Sequence, residues 1–222
     1  ATPSFGQAIG LGCPGEQAIV PTFNGSSAAI GLRSSFGNAG AFNPREGSKY
    51  VVIGSGFVNE LDSPNTNDGT AFCDDDLGAF DPGTTLPAPI RTNDVNGGTC
   101  DVNPAGIGTG DCSNTIQAQF DAGAVGLSPG ANDYTELRFT TQVPETASSF
   151  SYDFAFFSVE YPVYYGSQFN DMYIGWLESM NWTGNISFDE MGNPISLNAG
   201  FLDYKDPTNG PSMQPDPDCP AV

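Results

Sequence analysis

The sequence contains no histidine, six lysine and arginine residues in all, and no C-x-x-C pair. Without histidine the usual general base and the usual zinc or copper ligand are missing, which removes His-dependent catalytic triads and most transition-metal sites. The six bases stand against 26 acids, for a formal charge of -20. That field repels phosphate backbones and anionic lipid surfaces, so no nucleic-acid partner is expected. No apolar run reaches the roughly 20 residues that a bilayer span needs, and direct membrane insertion is not expected either. The chain begins at Ala1 rather than Met. The expectation is a mature, secreted chain whose export signal has been removed.

What is abundant is turn chemistry. The acids comprise 18 Asp and 8 Glu, and the chain has 28 Gly and 18 Pro among 222 residues. Asp, Asn, Gly and Pro favour turns and caps over helix interiors, so this balance predicts strands joined by elaborate loops. Short apolar pieces, QAIVPTF and AAIGLR, lie in residues 1–48, and KYVVIGSGFV follows as a core strand rich in β-branched residues. TIQAQF and YTELRFTT predict further strands, the second with Leu137 and Phe139 alternating against Glu136, Arg138 and Thr140. SSFSYDFAFFSV alternates too, with Phe150, Tyr152, Phe154 and Phe156 on one face. DMYIGWLES repeats the pattern, and NISFDEMGNPISL predicts a hairpin turning at Met191-Gly192-Asn193. The fold expected is all-β, an antiparallel β-sandwich, jelly-roll-like, with long disulfide-stapled loops. One sandwich domain over residues 1–205 and an extended Pro/Asp-rich tail over 206–222 complete that reading.

Residues 59–114 interrupt it with almost no periodicity and three of the five cysteines. A loop of that length in a compact domain is usually functional, or held by metal or disulfides. Cys13, Cys73, Cys100, Cys112 and Cys219 lie in Gly-, Pro- and Asp-rich surroundings, as loop staples do in exported proteins. Cys100 and Cys112 are the favoured pair, closing a short Gly-rich loop, while the connectivity of Cys13, Cys73 and Cys219 stays open. Five is odd, so one thiol is free, paired between molecules, or partnered elsewhere.

Two acidic regions are candidate calcium sites. In FFSVEYPVYYGSQFND, Glu160 and the pair Asn170-Asp171 sit at the two ends of a turn joining two strands. Pairing of those strands brings two carboxylates and an amide oxygen to one rim, the donor type a hard cation takes. The plainer role is bonding to the turn's own backbone. Asp74-Asp75-Asp76 with Asp81, and Asp62 with Asn65, Asn67 and Asp68, form the second region, either a solvated loop or a metal site. Neither has the EF-hand spacing.

YDFAFFSVEYPVYYGSQFNDMYIGWLES, followed by NPISLNAGF, resembles the choice-of-anchor L domain, an exported bacterial module with an EYPEY-like run and an FND continuation. YVVIGSGFV and the Cys-bearing insert look most like myxobacterial versions, and the resemblance covers residues 49–203. It implies a secreted or surface-anchored β domain with no established reaction. Val159 and Val163 stand where that family often carries Glu, which argues against a dense acidic cluster.

The function expected is therefore a non-enzymatic structural or adhesive protein of a bacterial surface or matrix, partnered by itself or by cell-surface components. A homopolymer would form head to tail, with residues 1–12 donated as an extended strand and calcium at the contacts. The alternative is a carbohydrate-binding module, with Tyr161, Tyr164, Tyr165 and Trp182 as a ligand platform. A third reading is a glycoside hydrolase using Glu160 with Asp171, or Glu178 with Asp153. Asn24, Asn181 and Asn185 begin Asn-x-Ser/Thr glycosylation triplets, which also occur by chance.

Overall fold

The computed structural model describes residues 4–12, 19–35, 43–56, 58, 88, 90, 110–112, 115–116, 131–158, 170–179, 182–189, 191–198, 205–206 and 210–211. Among these the secondary structure is almost all strand. One helical turn, α1 (Phe5–Ala8), is followed by β1 (Thr22–Asn24), a 3-10 turn (Ser27–Ala29), β2 (Ile30–Arg33), β3 (Tyr50–Ile53), β4 (Gly110–Cys112) and β5 (Glu136–Arg138). Then come β6 (Trp176–Glu178), β7 (Trp182–Asn185), β8 (Lys205–Asp206) and β9 (Gly210–Pro211). The strands form small sheets, β1-β5, β2-β3, β4-β7-β6 and β8-β9. The described residues are thus of all-β character.

Two compact units divide the chain, Ala1–Asp81 with Asn132–Phe154, and Pro82–Ala131 with Ala155–Val222. In the first, the β-branched run of β3 pairs antiparallel with β2, setting Ile30 opposite Ile53 and Leu32 opposite Val51. Cross-strand apolar pairs of this kind are what stabilises a sheet locally. The chain enters β2 through the 3-10 turn, whose Ser26 side chain accepts the Ala28 N–H and whose Ala29 is fully buried. Val58 N–H returns to Ala28 O at 3.0 Å, and the Arg33 guanidinium donates to Val58 O, so the YVVIGSGFV segment closes back on the strand it pairs with. β1 and β5, more than a hundred residues apart in sequence, pair antiparallel with Phe23 opposite Leu137.

In the second unit, β6 and β7 form a hairpin that the sequence pattern did not predict, and Ser179 locks its end by exchanging bonds with Trp182 N–H and O. β4 adds to β7 in parallel, pairing Cys112 with Gly184, where the sequence pattern predicted antiparallel neighbours. A parallel neighbour requires a crossover connection, and none of the local turn signals encodes one. Residues 171–175 continue the β6 ladder against 195–197, through Tyr173 N–H to Ile195 O at 3.0 Å and Leu197 N–H to Asp171 O at 2.8 Å. The hairpin between them turns at Gly192, φ +86°, as its Met-Gly-Asn sequence predicts. Cys112, Ile116, Ile195 and Leu197 are buried here.

Two expectations fail. Residues 1–12 were to form an extended donor strand, yet Phe5–Ala8 is helical, because Ser4-Phe5-Gly6-Gln7 is a capping box. Ser4 Oγ accepts the Gln7 N–H while Gln7 Oε1 accepts the Ser4 N–H, so two orphan donors of the helix start are satisfied reciprocally. The second is SSFSYDFAFFSV, whose alternation predicts a strand; residues 149–158 belong to no strand, and Phe150, Tyr152, Phe154 and Phe157 are exposed. Of the insert over 59–114, only residues 88, 90 and 110–112 are described, and the tail lies largely outside the described residues.

Candidate functional site

Asn170 and Asp171 are placed by the ladder that begins at residue 171. Met172 bridges Ser196, which fixes the two preceding side chains at the end of the pairing. Asn170 Oδ1 accepts the Asn198 N–H at 3.1 Å and so caps the opposing segment. Asp171 Oδ2 accepts the Ser158 hydroxyl at 3.2 Å. Burial holds the Asp171 carboxyl above its ordinary pKa, and the Ser158 hydrogen bond offsets only part of that. The hydrogen bond ties residue 158 to residue 171. Glu160, expected to share this site, lies outside the described residues, as do Asp74, Asp75 and Asp76. Among the described residues, no group of three or more His, Cys, Asp or Glu is placed to hold a metal ion.

Nearby, the hairpin over 185–198 is built on a polar latch that sequence reasoning missed. Asn185 is wholly buried, its Nδ2 donating to Ser187 O and its Oδ1 accepting the Ser187 N–H, both at 3.0 Å. Its own N–H donates to Thr115 Oγ1 at 3.1 Å. The side-chain amide thus stands in for a peptide unit where the chain leaves β7, satisfying two backbone groups that burial would otherwise orphan. The Asn185-Ile-Ser triplet is therefore a latch and not a glycan acceptor in the folded chain, since Nδ2 is inside and engaged. Asn24, by contrast, is exposed, and Asn181 lies outside the described residues.

Gly184 beside it is dictated by close approach. A Cβ there would stand 2.7 Å from Cys112 Cβ and 2.8 Å from Cys112 O, and the backbone φ is +156°. Cys112 is buried and disulfide-bonded. The other four cysteines, Cys13, Cys73, Cys100 and Cys219, its partner among them, lie outside the described residues. Trp182, expected on a turn as part of a platform, is instead in β7 and half-buried, its Cη2 edge 3.1 Å from the Gly184 Cβ position. Tyr161, Tyr164 and Tyr165 lie outside the described residues. Trp176 Nε1 is buried with no hydrogen-bond partner among the described residues.

The exposed aromatics fall elsewhere. Phe139, Val143, Phe150, Tyr152 and Phe154 of the first unit are all exposed, Val143 and Phe150 by more than 60%. The Tyr152 and Phe154 rings lie 5.9 Å apart, tilted by 41°. Between them in sequence, Asp153 Oδ2 is 3.3 Å from Arg45 Nε. Of the suggested catalytic pairs, Asp153 and Glu178 belong to different units, and Glu160 is not among the described residues.

No family model, curated protein or solved structure matches the chain.

Proposed function

We propose that the chain is a non-enzymatic structural or adhesive protein of a bacterial surface or matrix, exported, and joined to copies of itself through strand edges. The reading is carried by the run from Phe139 to Phe154, a largely polar stretch that alternates at its C-terminal end and exposes five large apolar side chains to water. Exposed apolar side chains that cluster mark contact surfaces more often than ones scattered singly, and Tyr152 and Phe154 at least stand together. Among the described residues the β1-β5 and β2-β3 sheets are two-stranded, and short sheets gain most from added strands. The resemblance to the choice-of-anchor L domain supports the same location and role. The charge of -20 opposes association of copies, so divalent cations, calcium among them, favour it. A jelly-roll-like sandwich and a Cys100–Cys112 staple belong to this reading, and mapping disulfides in unreduced digests checks the latter.

Light scattering across a concentration series, with and without calcium, tests the assembly. The wild-type chain should grow with concentration, more so with calcium, and a Phe150→Ser, Phe154→Ser double variant should stay monomeric with the same circular dichroism. A wild-type chain that remains monomeric throughout overturns the reading. The exposed Tyr152–Phe154 ring pair favours a second reading, a platform for an uncharged polysaccharide. Saturable binding of a neutral oligosaccharide to the monomer, lost in the same variant, would establish it instead.

A further inference from the structure

The dipeptide Asn24-Gly25 ends β1, and the fold fixes its second residue. Gly25 has φ +133°, and a Cβ there would lie 3.0 Å from Tyr134 O and 3.2 Å from Thr135 Cα, both on the backbone that leads into β5. Backbone atoms at that distance cannot move aside as a side chain would, so no other residue fits at 25 without strain. Glycine at 25 also brings no side chain of its own to obstruct attack by its backbone nitrogen on the preceding residue. Asn24 is exposed, and no hydrogen bond holds its side-chain amide among the described residues. Its strand is three residues long in a sheet of two strands among the described residues, the kind of element that opens locally at little cost.

We propose that Asn24 is a site of spontaneous modification, deamidation through a cyclic imide with water as the only co-reactant, and that it releases the β1-β5 pairing. The Gly25 amide nitrogen, losing its proton, attacks Asn24 Cγ. The N–Cγ bond forms, the Cγ–Nδ2 bond breaks, and ammonia leaves with the proton it gains from solvent. Water then opens the five-membered imide at either carbonyl, giving aspartate or isoaspartate. No electrons are transferred. Either product damages the ladder. Asn24 is registered opposite Glu136, whose carboxylate already takes Arg138 Nη2 at 2.6 Å and Nε at 2.7 Å. A second carboxylate facing it across the strands is a like-charge pair, which destabilises a sheet. Isoaspartate in addition lengthens the main chain by a carbon, and a ladder of strict period two cannot absorb that without losing register.

The test ages the full chain in mildly alkaline buffer, follows residue 24 by peptide mapping that resolves aspartate from isoaspartate, and reads amide hydrogen exchange at Leu137. Conversion should run within about tenfold of that in the excised peptide 19–33, a difference of ~1.4 kcal/mol in barrier. It should slow in mildly acidic buffer and bring faster exchange at Leu137. Asn24→Gln, which cannot form the five-membered ring readily, should stay unmodified and keep Leu137 protected over the same period. An Asn24 that stays intact while the peptide converts, or that converts with Leu137 protection unchanged, overturns the proposal.

Discussion

Asn185 offers the sharpest test of the packing. Replacing it with alanine leaves the Ser187 N–H and C=O without the partners they now have at 3.0 Å, in a residue only 3% exposed. Each buried backbone group left unpaired costs about 1–3 kcal/mol, so Asn185→Ala should cost roughly 2–6 kcal/mol. Asn185→Asp separates the two bonds. A carboxylate still accepts the Ser187 N–H but cannot donate to Ser187 O unless it is protonated. The acid form is therefore favoured in the fold, its pKa rises above the unfolded value, and the variant should regain stability as pH falls. Urea unfolding of the three proteins, at neutral and at acidic pH, measures both effects through the midpoint at constant slope. A loss below about 1 kcal/mol for Asn185→Ala would show that the latch is replaceable by local rearrangement and would refute the reasoning.

Gly184→Ala should be among the most damaging substitutions, by several kcal/mol on the order of strain plus overpacking, because Cys112 Cβ and O at 2.7 and 2.8 Å cannot yield; calorimetry or failure to accumulate folded protein reads this. The Asp171 pKa is raised in the fold, so its ionisation costs stability as pH climbs from the unfolded pKa to the folded one. Asp171→Asn keeps an acceptor for Ser158 and should remove that slope while equalling or exceeding wild-type stability at neutral pH; an unchanged slope counts against the assignment. Asp189 behaves oppositely. Slight desolvation raises its pKa, but hydrogen bonds from the Asn193 side chain and backbone, Met191 and Gly192 lower it more. Its contribution is present above the unfolded pKa and lost as pH falls through the folded one, so Asp189→Asn should flatten this part of the acid limb. Trp176→Phe should cost less than its lost volume suggests, since it removes a buried N–H that has no partner among the described residues; a cost above about 3 kcal/mol would count against that reading.

By itself the sequence determined what short-range chemistry can determine. Turn-rich composition and β-branched runs placed β2 within AAIGLR, β3 within YVVIGSGFV and β5 within YTELRFTT. Glycine at 192 placed the turn over 189–193, because a positive φ is cheap only there. Alternation misled where no neighbour completed the pattern: Phe139 reads as a core partner of Leu137 yet is exposed, and SSFSYDFAFFSV reads as a strand without being one. Period two states which residues would share a face if a sheet existed, and it carries no information on whether a partner strand arrives. At residues 4–7 a local signal was present and outweighed by composition, since the Ser-x-x-Gln box specifies a helix start regardless of the glycines around it.

Tertiary structure alone decided the rest. The parallel addition of β4 to β7, the approach of Cys112 that forbids a side chain at 184, and the burial of Asn185 all depend on segments some seventy residues apart meeting. An asparagine followed by Ile-Ser looks the same in sequence whether it faces water or replaces a peptide bond inside, and a Cys-bearing loop looks the same whether or not it comes to lie against a distant glycine. Burial separates the two asparagine cases, because it converts each polar atom from one that water can satisfy into one that must find its partner within the fold.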